Sequence, residues 1–143
     1  MRFADTNILL YAISTDPSER AKARRASEVL AGRDVALSVQ VLQEFYVQAT
    51  RESRTNPLSH EHAARLVESF LRFPVQATTV SVLRAALTTR QRFGISYWDA
   101  AILEAARAAG CEVVLSEDLG DGAEYAGVRV ENPFRELDSP AAS

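Results

Sequence analysis

Residues 96–119 read SYWDAAILEAARAAGCEVVLSEDL, which is a helical pattern followed directly by a short apolar run. Ser96 is a suitable N-cap, and apolar residues recur at helical spacing from Tyr97 to Ala109. Gly110 ends the helix, because glycine commonly follows a helix C-terminus. The run from Glu112 to Ser116 is typical of a strand that is covered on both faces. The segment therefore predicts one helix–strand unit, with Asp118 just beyond the strand.

The same alternation extends over the rest of the chain. A first strand is predicted from Arg2 to Thr6, leading into a helical turn over 7–12. Further short strands are predicted at 35–37, 75–77 and 128–130, with helices at about 17–31, 39–51, 59–72 and 81–93. Strands separated by helices indicate an α/β fold with a central parallel sheet and helices on both faces. Ligands bind beyond the carboxyl ends of such strands, so chemistry is expected just after Asp5, Ser38 and Ser116.

Length and composition limit the class of protein. The 143 residues fit one domain, and Cys111 is the only cysteine, so no intrachain disulfide forms and a reducing cytoplasm is expected. No apolar run approaches the roughly 18 residues of a membrane span, and the first residues lack a signal-peptide pattern, so no membrane partner is expected. Nineteen acidic against 16 basic residues give a net charge of −3, which is unusual for a passive nucleic-acid-binding module.

Three carboxylates fall where a parallel sheet would bring them to one edge. Asp5 and Asp118 follow strand ends, and Asp99 lies in the first turn of the helix before the 112–116 strand. Taken singly, Asp5 could be only an N-cap, and Asp118 could belong to a solvated acidic loop with Glu117 and Asp121. Taken together, like charges this close require a shared cation or proton. Oxygen ligands select Mg²⁺ or Mn²⁺, which serve the attack of water on phosphodiesters.

Asp99 is the most informative of the three. On a helical wheel it lies nearly opposite the charged residues Glu104 and Arg107, among apolar side chains. A carboxylate on a core-facing side is costly to bury without compensation. Two explanations stay open, a capping box with Ser96 near the positive end of the helix, or a bound cation.

Two further groups of polar residues have plain interpretations. Glu44 falls on the polar side of its helix, flanked by Gln40 and Gln48, which indicates a solvated glutamate unless that side faces a cleft. Lys22, the only lysine, lies in a basic helical stretch at 20–25, which indicates a solvated face, with phosphate contact as the alternative. For Trp98, a position in the core or in an interface is favoured over a role in base stacking.

Five stretches of the sequence resemble one known family. They are DTNILLY at 5–11, SVQVLQEF at 38–45, SYWDAAI at 96–102, LSEDL at 115–119 and GVRVENPF at 127–134. They are similar to the PIN-domain ribonucleases, and most closely to the VapC-like toxins of bacterial toxin–antitoxin pairs. The resemblance covers about residues 3–134. Each motif is loose alone, but their order along the chain is specific.

The resemblance implies a fold and a set of site residues. The fold would be a PIN-like three-layer sandwich over residues 1–136, and residues 137–143 would form a disordered tail. The implied acidic quartet is Asp5, Glu44, Asp99 and Asp118, of which the three aspartates would ligate Mg²⁺ or Mn²⁺. The implied supporting residues are Thr6, Asn7, Ser116 and Asp121. Asp118 is favoured over Asp121 as the fourth carboxylate because it lies closer to the strand end.

The resemblance also implies a function and partners. The chain would be a metal-dependent endoribonuclease and the toxin of a VapBC-like pair, cytoplasmic and homodimeric, with RNA as substrate and a VapB-like antitoxin as partner. A catalytically silent PIN-like domain that only binds RNA or protein is the alternative. A phosphoryl-transfer fold with a nucleophilic aspartate is a rival class, and such folds use a lysine late in the chain. Because no lysine follows Lys22, the sequence argues against that class.

Overall fold

The computed structural model describes residues 1–137, whose strands form a single mixed sheet flanked by helices. The strands are β1 (Arg2–Ala4), β2 (Val35–Ser38), β3 (Val75–Gln76), β4 (Val113–Leu115), β5 (Glu124–Tyr125) and β6 (Val128–Glu131). The helices are α1 (Thr6–Ala12), α2 (Arg20–Ala31), α3 (Val39–Thr50), α4 (His60–Phe70), α5 (Val80–Phe93) and α6 (Tyr97–Ala108). Short 3₁₀ turns cover Pro17–Glu19 and Arg135–Leu137.

The order in which the chain adds strands to the sheet reverses at its centre, between β1 and β4. Across the sheet the order is β3-β2-β1-β4-β6-β5. The chain builds outward from β1 to β3, then crosses back so that β4 pairs with β1 in parallel, with Phe3 opposite Val114. The crevice at such a reversal is where open α/β sheets bind ligands. The fold therefore directs attention to the residues that follow β1 and β4.

The predicted parallel sheet is confirmed, with one exception at its edge. β1, β2, β3, β4 and β6 pair in parallel, whereas β5 pairs antiparallel with β6. The two-residue β5 was not predicted, because two residues are too few to give a periodic signal. It extends the sheet beyond β6, at the edge opposite β3.

Side-chain caps explain most helix starts. Ser38, Ser59 and Ser96 accept hydrogen bonds from backbone N–H groups in the first turns of α3, α4 and α6, as expected of serine N-caps. The helix predicted from 17 begins instead as a 3₁₀ turn capped by Asp16, and α2 proper starts at Arg20. Glu19 does not complete a capping box there, since its carboxylate accepts from the Ser14 hydroxyl.

The core surrounds α6 more completely than the wheel indicated. Seven consecutive residues of this helix, 100–106, are buried, among them Glu104. The carboxylate of Glu104 accepts a hydrogen bond from the Thr89 hydroxyl at 2.9 Å and pairs with Arg107 at 2.9 Å. The Glu104–Arg107 pair lies within α6, and the hydrogen bond from Thr89 joins its buried carboxylate to α5. Asp99 is only half-buried, so Glu104, and not Asp99, is the more deeply buried carboxylate of this helix.

The remaining observations concern the chain's end and its helices. The tail predicted over 137–143 lies outside the described residues except for Leu137, which ends the second 3₁₀ turn. Within residues 1–137, no helix has both the length and the apolar character to cross a membrane.

Candidate active site

Asp5 occupies the reversal point of the sheet and is held at both carboxylate oxygens. It follows β1 directly and caps α1. Its Oδ1 accepts from the Thr6 backbone N–H at 2.8 Å, and its Oδ2 accepts from the Ser116 hydroxyl at 2.8 Å, just past β4. Asp5 is therefore both the predicted cap and a link between the two central strands.

The electrostatics of Asp5 are unfavourable in the absence of a cation. Its pKa is raised to about 6, chiefly by burial and in smaller part by the neighbouring carboxylates of Glu44 and Asp118. The two hydrogen bonds, from Ser116 and from Thr6, oppose that rise and lower the pKa. A buried acid with two acidic neighbours is stabilised as a carboxylate only by a nearby positive charge.

Glu44 faces the acidic site around Asp5. Its Oε2 accepts from the Thr6 hydroxyl at 2.6 Å, and its Oε1 accepts from the Gln40 amide at 2.8 Å. Gln40 is itself buried. The interpretation of Glu44 as a solvated glutamate is wrong, because the polar side of α3 packs over the end of β1. The flanking glutamines at helical spacing were the signal, and only the fold shows what they face.

Asp118 and Asp121 have different surroundings. Asp118 accepts from the Asn7 amide at 3.1 Å, and its backbone N–H donates to the Ser116 hydroxyl at 3.1 Å. Asp121 accepts instead from the Asn132 backbone N–H at 2.9 Å and pairs with Arg135 at 3.0 Å. Asp121 lines a separate cavity on the other side of the loop. The expectation that Asp121 supports the acidic site is wrong, because these two partners direct its carboxylate elsewhere.

Asp99 approaches the same place from the start of α6. Its backbone N–H donates to the Ser96 hydroxyl at 3.1 Å, so Ser96 is the predicted N-cap. Among residues 1–137 no group donates to the Asp99 carboxylate, so the reciprocal half of a capping box is not formed. The capping explanation accounts for Ser96 but leaves the half-buried carboxylate of Asp99 directed at the cavity that it lines.

The four carboxylates of the predicted quartet line one small cavity of about 130 Å³. Its wall comprises Asp5, Thr6, Asn7, Leu10, Glu44, Gln48, Trp98, Asp99, Ile102 and Asp118. No lysine, arginine or histidine occurs among these described lining residues. As the side chains stand in residues 1–137, no three acidic, histidine or cysteine groups are arranged to hold a metal ion. The donor set has the hard-oxygen chemistry of Mg²⁺ or Mn²⁺, and direct ligation requires the carboxylates to turn toward one another.

A cationic contact that the sequence did not indicate lies beside the cavity. Lys22 Nζ pairs with Glu117 at 2.6 Å, and the Tyr11 hydroxyl donates to the other carboxylate oxygen of Glu117 at 2.6 Å. Burial and the bond to Glu117 raise the pKa of Tyr11 to about 12. The interpretation of Lys22 as part of a solvated basic face is wrong, because α2 packs on α1 and directs the ammonium toward Glu117. A contact across 95 residues leaves no local signal in the sequence.

A mainly parallel α/β sheet with an acidic cavity at its reversal point defines the class of domain. A PIN-domain family model matches residues 2–120, and the chain therefore belongs to the PIN-domain family. This confirms the family resemblance and the predicted α/β class. No match is found among curated protein sequences.

Several solved structures share this fold. A toxin–antitoxin complex from Klebsiella pneumoniae has a TM-score of 0.70 at 21% identity, covering 94% of this chain and 98% of that one. The Mycobacterium tuberculosis VapC20, a toxin that cleaves the sarcin–ricin loop, has a TM-score of 0.64 at 18% identity, covering 82% and 90%. DNA-bound VapBC from Salmonella typhimurium has a TM-score of 0.65 at 22% identity, covering 92% and 97%. At these identities the likeness concerns the fold.

Proposed function

We propose that this protein is a metal-dependent endoribonuclease and the toxin of a VapBC-like toxin–antitoxin pair. The observation that carries the proposal is the convergence of Asp5, Glu44, Asp99 and Asp118 on one cavity of a PIN-domain fold. The VapC20 toxin of the same fold cleaves RNA of the sarcin–ricin loop, and related structures are toxin–antitoxin complexes. We also propose that the domain continues to residue 136, since β6 beyond the matched range pairs with β4.

The residues around the cavity fit a hard divalent cation. Asp5, Asp99 and Asp118 would hold Mg²⁺ or Mn²⁺, directly or through water, and Glu44 would hold the metal or the attacking water. When bound, such a metal would supply polarisation of the phosphodiester and a lowered pKa for a bound water molecule.

The chain's own side chains keep these groups in place. Ser116 and the Thr6 N–H fix both oxygens of Asp5, while Thr6 Oγ1 and Gln40 occupy one oxygen each of Glu44. Asn7 holds Asp118. Because every one of these donors is neutral, the carboxylates keep their negative charge for the cation. Such hydrogen bonds orient the carboxylates at the cavity, and direct ligation would still require them to turn toward one another.

The charge distribution is compatible with an RNA substrate. Without the four cavity carboxylates, fifteen of the nineteen acidic residues remain against 16 basic ones. Arg51 and Arg54 line a larger cavity of about 500 Å³ that shares Asn7 and Asp118 with the acidic one. Arginines beside the acidic cavity offset its repulsion of a phosphate backbone.

The proposal includes two protein partners in the cytoplasm. A VapB-like antitoxin would cover the acidic cavity, for which an arginine is the fitting side chain because it pairs bidentately with carboxylates. A second copy of this chain would cover α5, where Val80, Leu83 and Leu87 are 63%, 41% and 53% exposed at helical spacing. Exposed apolar stripes of this kind mark protein interfaces.

Cleavage of single-stranded RNA by the purified protein tests the function. We expect cleavage that requires Mg²⁺ or Mn²⁺ and that Asp99→Asn reduces by about a hundredfold or more, given that even residues supporting metal ligands are worth 10–100-fold. Glu112→Gln is the matched control, since Glu112 is exposed next to the opposite end of β4. Undiminished cleavage by Asp99→Asn would contradict the mechanism. A folded protein that binds RNA in Mg²⁺ or Mn²⁺ without cutting it would support the silent alternative.

A further inference from the structure

Trp98 is a large aromatic side chain left in solvent at the rim of the acidic cavity. It is 65% exposed, although its neighbour in sequence is Asp99. Its ring meets Tyr97 edge to face, with centroids 5.1 Å apart and an interplanar angle of 80°. An edge-to-face contact leaves much of the indole uncovered. A tryptophan in this state has a face available for stacking.

A second cavity opens from the acidic one at this point. It has a volume of about 680 Å³ and shares Glu44, Gln48 and Trp98 with the acidic cavity. The rest of its wall consists of Gln40, Gln43, Val47 and Arg51. The lining therefore combines amides, one guanidinium and one indole. These are the side chains that hydrogen-bond base edges, contact phosphates and stack on bases.

The indole is tied to the acidic cavity through the backbone. The amide of Gln40 donates to the carbonyl of Trp98 at 3.3 Å and to Glu44 Oε1 at 2.8 Å. Since Gln40 is buried, both contacts are sheltered from water. The start of α6 and the carboxylate of Glu44 are thus held in one fixed relation. A group stacked on Trp98 would lie at a set distance from the carboxylates.

We propose that this second cavity binds one nucleotide of the substrate, with the base stacked on Trp98 beside the cleaved phosphodiester. The proposal rests on the proposed function and names the part of the RNA that the site reads. Gln43 and Gln48 would contact the edge of the base or its ribose, and Arg51 the phosphate. Stacking on a side chain requires an unpaired base, so the substrate at this point is single-stranded.

The composition of the cavity favours a nucleotide over a protein occupant. Val47 and Trp98 are the only apolar residues in its described wall, and the remaining five are polar or charged. The central part of a stable protein interface is largely apolar and depleted of charge. The apolar stripe of α5 has that character, and the wall around Trp98 does not.

The sequence contains one tryptophan, so its fluorescence reports on this site alone. We would titrate the wild-type protein with uniform single-stranded RNA hexamers, in EDTA and again in Ca²⁺, and check afterwards that the RNA is intact. Quenching that saturates with RNA is the expected result, because a stacked base quenches the indole. An abasic hexamer of equal length should bind with little quenching. Absence of quenching in both conditions, with RNA bound by anisotropy, would overturn the proposal.

Variants separate stacking from other roles of Trp98. With dye-labelled hexamers, Trp98→Ala should bind about tenfold more weakly, Trp98→Phe should retain most of the affinity, and the exposed Leu71→Ala should bind like the wild type. If Trp98→Ala binds RNA normally and instead changes the protein's mass in light scattering, Trp98 is an interface residue and the proposal is wrong.

These experiments distinguish failure of the nucleotide site from failure of the proposed nuclease function. We expect Mn²⁺ bound by the cavity carboxylates to raise the melting temperature, and Trp98→Ala should keep that rise because Trp98 holds no metal. A wild-type protein that cuts RNA without quenching refutes only the nucleotide site. A protein that shows quenching without cleavage in Mg²⁺ or Mn²⁺ refutes only the nuclease.

Discussion

At the scale of single residues, Asp5 is the acid with the clearest conflict between burial and charge. Its pKa is about 6 in the folded protein, against 3.8 for an ordinary aspartate, chiefly because of burial. The folded state therefore holds a proton that the unfolded state has released between those pH values. Stability contributed by this group falls as pH rises through that window.

Comparison of wild type with Asp5→Asn in EDTA isolates this effect. We expect the free energy of unfolding of the wild type to fall by up to about 3 kcal/mol relative to the variant between about pH 4 and pH 7. Urea unfolding at a series of pH values measures it. Adding Mn²⁺ at neutral pH should stabilise the wild type and leave the variant largely unchanged, because the ion favours the ionised carboxylate.

Asp34 provides a control of opposite sign. The hydrogen bond from Arg2 lowers the pKa of this exposed carboxyl. The ionised Asp34 contributes stability above the ordinary pKa of aspartate, and that stability is lost as pH falls. The free energy of unfolding of the wild type should therefore rise relative to Asp34→Asn as pH rises. If the difference in free energy of unfolding between wild type and Asp5→Asn does not vary with pH, burial does not raise the pKa of Asp5 and the prediction is wrong.

Single residues also show what the sequence could and could not predict. Asp5, Asp99 and Asp118 were identifiable because strand ends and a helix start locate them without knowledge of distant contacts. Glu44 was assigned only through the family resemblance, since a helical wheel ranks sides of a helix but does not say which side another element will cover. Asp121 was placed wrongly because its partners Asn132 and Arg135 lie 11 and 14 residues away, across a loop.

At the scale of elements, one polar cluster joins three separate parts of the chain. Tyr11 comes from α1, Lys22 from α2 and Glu117 from the segment after β4. Lys22 Nζ also lies 5.1 Å from the ring centroid of Tyr11 and 5.9 Å from that of Phe134. The cluster holds the residue next to Asp118 and keeps the charge of Glu117 compensated outside the acidic cavity.

A double-mutant cycle measures this connection. We expect Lys22→Met and Glu117→Gln each to destabilise the protein by about 1 kcal/mol, since both side chains are 23% exposed and solvent screens the pair in part. Methionine keeps the aliphatic contacts with the rings. A coupling energy above about 0.5 kcal/mol in urea unfolding would establish the pair. The exposed pair Arg129–Glu131 is the control, with coupling near zero, and equal couplings would contradict the argument.

Helices and strands were more predictable than the contacts between them. Serine caps, glycine stops and apolar runs are local signals, and they gave α3, α4 and α6 with correct starting positions within a residue or so. The start of α2 was displaced because a 3₁₀ turn and an α-helical turn share the same Asp-Pro signal at 16–17. The strand β5 was not predicted because its pairing with β6 depends on a turn and not on an alternating pattern.

At the scale of the whole molecule, the apolar stripe on α5 bears on assembly. Val80, Leu83 and Leu87 share one exposed side of that helix, away from the acidic cavity. We expect the wild type to be the proposed dimer and Leu87→Glu to be a monomer in light scattering, because a charge buried in an apolar interface is costly. Leu71→Glu is the control, since Leu71 is 49% exposed beside α4. A protein with the same mass in all three forms would exclude this surface as the dimer contact.

The pairing of β1 with β4 connects the beginning of the chain with a segment more than a hundred residues later. During synthesis Asp5 leaves the ribosome early, while Ser116 and Asp118 follow only when most of the protein has been made. A nascent chain cut short before β4 can still pair β1 with β2, but it lacks β4, Ser116 and Asp118 and so cannot assemble the cavity. An RNA-cutting activity at this position would therefore arise only after the segment from β4 to Asp118 has been synthesised, late in translation.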